Sequence, residues 1–273
     1  MPVDASPQIL SDSQLSAIVT LAREAGAAIM AIYQKKSFEV FEKSDLSPVT
    51  EADLAAHQII FDGLSQITPH IPIISEESDA NRLGSSETYW LVDPLDGTRD
   101  FVARKDTFVV CIGLIHQKYP VAGVIHEPVT GKSWWARSGL GAFADGQRIS
   151  NSSNRVSLIA AGSRTTPSQS MKDLYAEFSI QEVRRYGSAL KFCHLSEGEV
   201  DIYPRFGLTS EWDTAAGQAI AEEAGCKVVS IASGLRLSYG KKNLLNEGGF
   251  IASRTDLQIA ERVHRQISAG QTR

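Results

Sequence analysis

Apolar positions recur with helical period from Leu15 through Ile18, Val19, Ala22, Gly26, Ile29 and the Ile32-Tyr33 pair, to about Gln34. Ser11-Asp12-Ser13-Gln14, just ahead of that run, has capping-box spacing, so a first helix is expected to start there. Asp45-Leu46-Ser47-Pro48 breaks the pattern. A second helix is expected over residues 51–64, with Leu54, Ile59, Ile60 and Leu64 as core contacts. Residues 71–74 and 90–93 read as short buried strands, and the polar stretch 79–87 as a loop between them. Residues 107–115, 121–126 and 132–136 read as successive antiparallel strands, the first two joined by a turn at 117–120. Past the polar cluster Asn151-Ser152-Ser153-Asn154, strand-like runs at 157–161 and 201–203 alternate with helices near 168–178, 187–197 and 212–225. Gly225 is placed to stop the third of these. A last helix is expected over 256–267, with Leu257, Ala260, Val263 and Ile267 on one face.

This order suggests an α/β protein with an α+β first half, residues 1–154, and an α/β second half, residues 155–273, stacked as layers around a shared cleft. With 273 residues, 42% hydrophobic and 22% charged, the chain can bury a large core. A net charge of −5 argues against a nucleic-acid polymer as partner but allows a nucleotide held in a local basic pocket. Cys111, Cys193 and Cys226 have no metal spacing and an odd count, which suits buried thiols in a reducing, cytoplasmic compartment. No signal-peptide profile and no membrane-spanning window are expected; peripheral contact at the inner face of the membrane stays open, as does oligomeric state.

The candidate chemistry centres on Trp90-Leu91-Val92-Asp93-Pro94-Leu95-Asp96-Gly97-Thr98-Arg99-Asp100-Phe101. A strand ending at Asp93, stopped by Pro94, would put Asp93, the Leu95 carbonyl and Asp96 together at its carboxyl end. Three oxygen donors in one short loop suit a hard divalent cation. Gly97 and Thr98 could open a helix whose amides hold phosphate, although an Asp-capped turn explains the same letters. Two distant segments add carboxylates: Ile73-Ile74-Ser75-Glu76-Glu77, a strand running into two glutamates, and Glu211-Trp212-Asp213-Thr214-Ala215-Ala216-Gly217, a small-residue helix with an Asp in its first turn. No Cys or His stands near them in sequence, so the ligand chemistry favours Mg²⁺ or Mn²⁺ over zinc.

Ser75-Glu76-Glu77-Ser78, Asp93-Pro94-Leu95-Asp96-Gly97-Thr98 with Phe101, and Trp212-Asp213-Thr214-Ala215-Ala216-Gly217 resemble the signatures of the inositol monophosphatase superfamily of Mg²⁺-dependent, lithium-sensitive phosphomonoesterases. Gly139-Leu140-Gly141-Ala142-Phe143 followed by Asp145-Gly146-Gln147 fits the same pattern. Gly187-Ser188-Ala189-Leu190-Lys191-Phe192-Cys193 and Tyr203-Pro204-Arg205-Phe206-Gly207 look most like its bacterial 3′(2′),5′-bisphosphate nucleotidases, which act in sulfur assimilation. The resemblance implies a layered αβαβα sandwich with two or three Mg²⁺ ions (Mn²⁺ as a substitute) held by Glu76, Asp93, the Leu95 carbonyl, Asp96 and Asp213. It implies that Thr98 and Asp53, in Ser47-Pro48-Val49-Thr50-Glu51-Ala52-Asp53, orient and deprotonate the attacking water alongside Glu76. In isolation a helix cap for Thr98 and a first-turn dipole partner for Asp53 would be the simpler readings.

The implied substrate is adenosine 3′,5′-bisphosphate, split to AMP and phosphate, with its sulfated analogue as a further candidate. Glu76, Leu95, Asp96, Gly97, Thr98 and Asp213 would contact the scissile phosphate. Gly187, Ser188, Lys191 and Arg205 would contact the rest, Arg205 offering a planar fork for a second phosphate. A surface position for Lys191 and a solvated loop for Arg205 are the plainer alternatives. Tyr203, Phe206 or Tyr186 could stack an adenine or simply fill the core. An inositol-1-phosphatase or broad sugar-phosphate phosphatase shares the acidic set, and a non-catalytic regulatory protein could keep the fold.

Overall fold

The computed structural model describes residues 9–42, 48–78, 86–164 and 166–270. α1 (Asp12–Tyr33) starts at the expected box: Ser11 Oγ accepts the Gln14 amide at 3.2 Å, and the Gln14 side chain accepts the Ser11 amide at 2.9 Å. A small antiparallel hairpin, β1 (Val40–Glu42) with β2 (Pro48–Thr50), leads into α2 (Glu51–Ile67). There follow β3 (Ile73–Ser75), β4 (Thr88–Asp96), the short α3 (Thr98–Val102), β5 (Val109–His116), β6 (Tyr119–His126), β7 (Ser133–Arg137), β8 (Gly141–Ala144) and β9 (Gln147–Ile149). β3 to β9 form one seven-stranded sheet in chain order, parallel between β3 and β4 and antiparallel from there on.

The second half runs β10 (Ile159–Gly162), α4 (Gln169–Glu177), β11 (Glu182–Arg185), α5 (Leu190–Ser196), β12 (Ile202–Arg205), α6 (Trp212–Glu223), β13 (Cys226–Ser230), β14 (Phe250–Arg254) and α7 (Ile259–Gly270). Its five-stranded sheet has the order β11-β10-β12-β14-β13, the first three strands parallel. The layers are α1 and α2, the large sheet, α5 and α6, the small sheet, then α4 and α7, which is the expected αβαβα sandwich. The core between the sheets draws on both halves, with Tyr89 and Trp134 joined to Phe192, Tyr203 and Phe250.

α6 can lie directly on the large sheet because β5 and β6 offer glycines where it crosses. A Cβ on Gly113 would stand 2.7 Å from the Ala215 Cβ, and one on Gly123 would stand 2.4 Å from the Ala216 carbonyl oxygen. Real Cβ atoms essentially never show contacts under 3 Å, so this close approach fixes where α6, and Asp213 in its first turn, can sit.

Several expectations change. β4 does not stop at Pro94; it continues to Asp96, which pairs with Val109 across a register shift that absorbs the missing proline N–H. The helix expected from 187 begins at Leu190, because Ser188 takes a positive φ of 45° ahead of it. The turn expected over 117–120 narrows to Gln117 and Lys118, both at positive φ. Leu54 points outward, and Ala52, Ala56, Ile60 and Leu64 carry the buried stripe of α2. Strands β1, β2, β8, β9, β11, β13 and β14 are not expected from the sequence pattern. Contrary to the expectation, α1 is long and apolar enough by composition to cross a membrane. Its Leu15, Ile18, Leu21, Ala25 and Ile29 are packed into the core, so this apolarity serves the interior. Of the expected break at 45–48 only Pro48 is described, as the first residue of β2, and most of the expected loop at 79–87 lies outside the described residues.

Candidate active site

The edge between β3, β4 and α6 gathers the acidic residues. β3 delivers Glu76, whose amide donates to the Val92 carbonyl at 3.0 Å and ties it beside β4. Asp93 is 2% exposed and accepts the Leu95 amide at 3.0 Å, which tightens the loop around its carboxylate. Asp96 accepts the Ala189 amide at 2.6 Å, a bond from the second half of the chain. Asp213 accepts the Ser210 amide at 2.9 Å. Gly97 is required by its positive φ of 103° and by the Thr107 carbonyl, 3.1 Å from where a Cβ would stand. It turns the chain from β4 into α3.

Thr98 does not cap α3. Its hydroxyl lies 3.0 Å from Asp53 Oδ1 and 3.1 Å from the Leu95 carbonyl oxygen. The other Asp53 oxygen accepts the Thr50 amide at 2.8 Å and the Thr50 hydroxyl at 2.6 Å. Asp53 therefore closes the capping box that starts α2 and also meets Thr98, a pairing that neither simple reading of its letters required.

Burial and mutual repulsion dominate the electrostatics. Burial pushes the Asp93 carboxyl well up, and the charges of Glu76, Asp96, Asp213 and Asp53 push it further. Burial raises Asp213 to about 8, helped by Asp96 and opposed by the Ser210 amide and Arg205. Burial raises Asp96 to about 6, against the pull of Lys191. Asp53 is raised by burial and held back by its bonds from Thr50 and Thr98. Such a buried cluster costs free energy unless a cation compensates it. The donors are carboxylate and carbonyl oxygens, so the set fits a hard divalent ion. One sulfur does lie near, contrary to the sequence reading: Cys111 stands opposite Asp93 on β5. Burial and the neighbouring carboxylates push its thiol well up.

The profile of the inositol monophosphatase family matches residues 11–271, nearly the whole described chain. The chain belongs to the inositol monophosphatase family. It is 40% identical over 225 residues to the 3′(2′),5′-bisphosphate nucleotidase CysQ of Escherichia coli (strain K12), covering 78% of this chain and 89% of that protein. The CysQ of Salmonella typhimurium (strain LT2) is 40% identical over 246 residues, 86% of this chain and 97% of its own. The crystal structure of CysQ from Bacteroides thetaiotaomicron, described as a bacterial member of the family, superposes with a TM-score of 0.78 at 36% identity, covering 89% of this chain and 97% of that one. The suhB protein of Bartonella henselae gives a TM-score of 0.77 at 28% identity, covering 93% and 99%.

Around the acidic cluster the second half supplies a basic wall. Lys191 is 6% exposed, not a surface lysine; its Nζ donates to the Ser188 carbonyl at 2.5 Å and lies 5.3 Å over the Tyr203 ring. Burial lowers it to about 8, while Asp96 pulls it back up. The Ser188 hydroxyl is buried without a partner, as is Nε of Arg205. Arg205 donates from Nη2 to the Leu208 carbonyl at 3.2 Å and borders a cavity of about 190 Å³, with Ser163, Thr166, Ser168, Arg185 and Gly207 among its other walls. Tyr203 packs edge-on against Phe192 and Phe250, and Tyr186 stacks on His194, so neither is free to hold a base; Phe206 reaches the cavity wall.

Some contributors had no usable signal in the sequence. The Ala189 amide on Asp96 is a backbone group. Glu211 is wholly buried and accepts the Gly240 and Lys241 amides at 2.9 and 3.0 Å, which pins a loop against the start of α6. Arg164 reaches from the second half to Thr107 at 2.9 Å and to Asp100 at 3.7 Å. An arginine in a Gly-Ser-Arg segment is too common to flag.

Proposed function

We propose that the chain is a 3′(2′),5′-bisphosphate nucleotidase that removes the 3′-phosphate of adenosine 3′,5′-bisphosphate, giving AMP and phosphate, and accepts the 5′-sulfated analogue in the same pocket. The observation that carries the substrate choice is Arg205, with a buried, unpartnered Nε beside a cavity and close enough to Asp213 to lower its pKa. A guanidinium so placed offers a fork to a second phosphate while the scissile one faces the carboxylates. An inositol phosphate has no second anion to meet it. Three buried free thiols suit a reducing, cytoplasmic interior.

Glu76, Asp93, the Leu95 carbonyl, Asp96 and Asp213 would hold Mg²⁺. When bound, the ion supplies positive charge to the phosphoryl oxygens and the leaving oxygen. The residues themselves prepare the nucleophile. Because the Thr98 hydroxyl gives its proton to Asp53, its lone pairs are left to accept a proton from water. As that water's oxygen bonds to phosphorus, its proton passes to Thr98 and the Thr98 proton to Asp53. The P–O3′ bond breaks with its electron pair on O3′, which takes a proton from solvent. The Ser188 hydroxyl and Lys191 steady the nucleotide from the opposite wall.

Kinetics of Arg205→Ala test the substrate choice. A charge-assisted contact is worth roughly 1.5–3 kcal/mol, so kcat/KM for adenosine 3′,5′-bisphosphate should fall by about tenfold or more. Hydrolysis of adenosine 3′-monophosphate should barely change. Equal losses on both would make Arg205 a structural residue.

A further inference from the structure

Taking Glu76 as a ligand of the ion, as proposed above, we propose that His57 is a positioning residue: through Ser75 it sets where Glu76 enters the carboxylate cluster, and so how tightly the divalent ion binds. Asp53 and His57 stand one turn apart on the same side of α2. Asp53 reaches Thr98 just past the end of β4, and His57 Nδ1 lies 2.8 Å from Ser75 Oγ at the end of β3. One side of α2 therefore touches the chain on both sides of the cluster.

Glu76 and Glu77 are the middle residues of a turn that closes on itself. The Ser78 amide and hydroxyl each donate to the Ser75 carbonyl at 3.0 Å, and the Ser75 amide donates to the Ser78 hydroxyl at 3.0 Å. The Glu76 amide ties this turn to β4, and the His57 contact ties it to α2. Ser75 is buried, and its hydroxyl accepts the Glu77 amide at 3.4 Å, which leaves its own proton for His57. The Phe61 ring backs the histidine, 5.7 Å from the imidazole between centroids. A tether has work to do here, because the turn carries Glu76 toward like charges: the Glu76 carboxylate raises Asp53 and adds to the rise of Asp93. Untethered, the turn can relax away from them, and the ion must then pull it back at a cost in affinity.

Direct metal binding separates this role from a structural one. Mn²⁺ is titrated into the full-length protein and the free ion read by electron paramagnetic resonance, with thermal melts in chelator and in Mg²⁺ alongside. His57→Ala and Ser75→Ala should each weaken Mn²⁺ binding by about tenfold, and the double variant should be no worse than either. His57→Asn, whose amide puts a polar atom where Nδ1 stands, should bring the affinity back near the wild-type value. The gain in melting temperature on adding Mg²⁺ should shrink in the alanine variants. Glu76→Gln tests the ligand itself: wild-type Mn²⁺ affinity in that variant refutes Glu76 as a ligand. Weakened binding in Glu76→Gln with unchanged binding in His57→Ala or Ser75→Ala overturns the role of His57 instead. So does a loss that His57→Asn fails to restore, or a fall in melting temperature equal in chelator and in Mg²⁺. Ser75→Ala decides the matter if a histidine variant fails to fold.

Discussion

The Thr98 hydroxyl lies 3.0 Å from Asp53 Oδ1 although 45 residues separate them, and the same Asp53 carboxylate caps α2. One side chain thus links the start of a helix to the edge of the carboxylate cluster. If the pair forms one proton path, Thr98→Ala and Asp53→Asn should each lower kcat by about 10²–10⁴ with little change in KM. The double variant should be scarcely worse than either. Multiplying losses in steady-state kinetics would show that they act on separate steps.

Asp93 sits in the centre of the repulsive cluster, so its removal should have opposite effects on activity and on stability. Asp93→Asn should abolish nearly all Mg²⁺-dependent turnover, because a neutral amide cannot replace a carboxylate ligand. The metal-free variant should melt several degrees above the metal-free wild type, as one buried like charge is gone. Thermal melts with chelator and with Mg²⁺ decide it. A metal-free variant less stable than the wild type would contradict the cluster's electrostatics.

The glycine pair beneath α6 should be intolerant of a side chain. Gly123→Val would press on the Ala216 carbonyl, where even a Cβ would be 2.4 Å away. Overpacking of this kind costs about 1–3 kcal/mol, and it should displace Asp213 with the helix. Activity should therefore fall further than the stability loss alone explains, with the Mg²⁺ needed for half-maximal rate rising. A variant with wild-type Mg²⁺ dependence would show that α6 is not set by this contact.

His126 gives the fold an acid limit. Burial, with the Arg23 charge, holds it at about 4, whereas an unfolded histidine titrates near 6.5. Between those values the unfolded chain binds the extra proton, so stability drops as pH falls from about 6.5 through 4, by up to about 3 kcal/mol. Urea unfolding at pH 7 and 4.5 should show a shallower pH dependence in His126→Gln than in the wild type. Parallel slopes would assign the acid loss to other groups.

The first-half helices, the central strands and the carboxylate set were legible because each is local: a capping box, a period, an apolar run into an acid. Glu76, Asp93, Asp96 and Asp213 could be named before their meeting was known, whereas Asp53, whose letters alone read as a helix-dipole partner, is singled out only by the family resemblance. What stayed hidden depended on distant partners. β14 follows a stretch of turns and is defined only by pairing with β12 and β13. Pro94 looked like a stop because the bulge that accommodates it is visible only once β5 lies alongside. Lys191 could be read as a surface residue because the groups around it, Asp96 and the Tyr203 ring, are distant in sequence.

In the proposed reaction, water positioned at the carboxylate cluster attacks the 3′-phosphate while Arg205 keeps the 5′-phosphate. Phosphorus NMR of the Mg²⁺-loaded protein turning over adenosine 3′,5′-bisphosphate follows both groups in one sample. The 3′ resonance should be replaced by inorganic phosphate while the 5′ resonance persists as AMP, and inositol 1-phosphate under the same conditions should turn over far more slowly. Loss of the 5′ resonance first, or faster release from inositol 1-phosphate, would contradict the account.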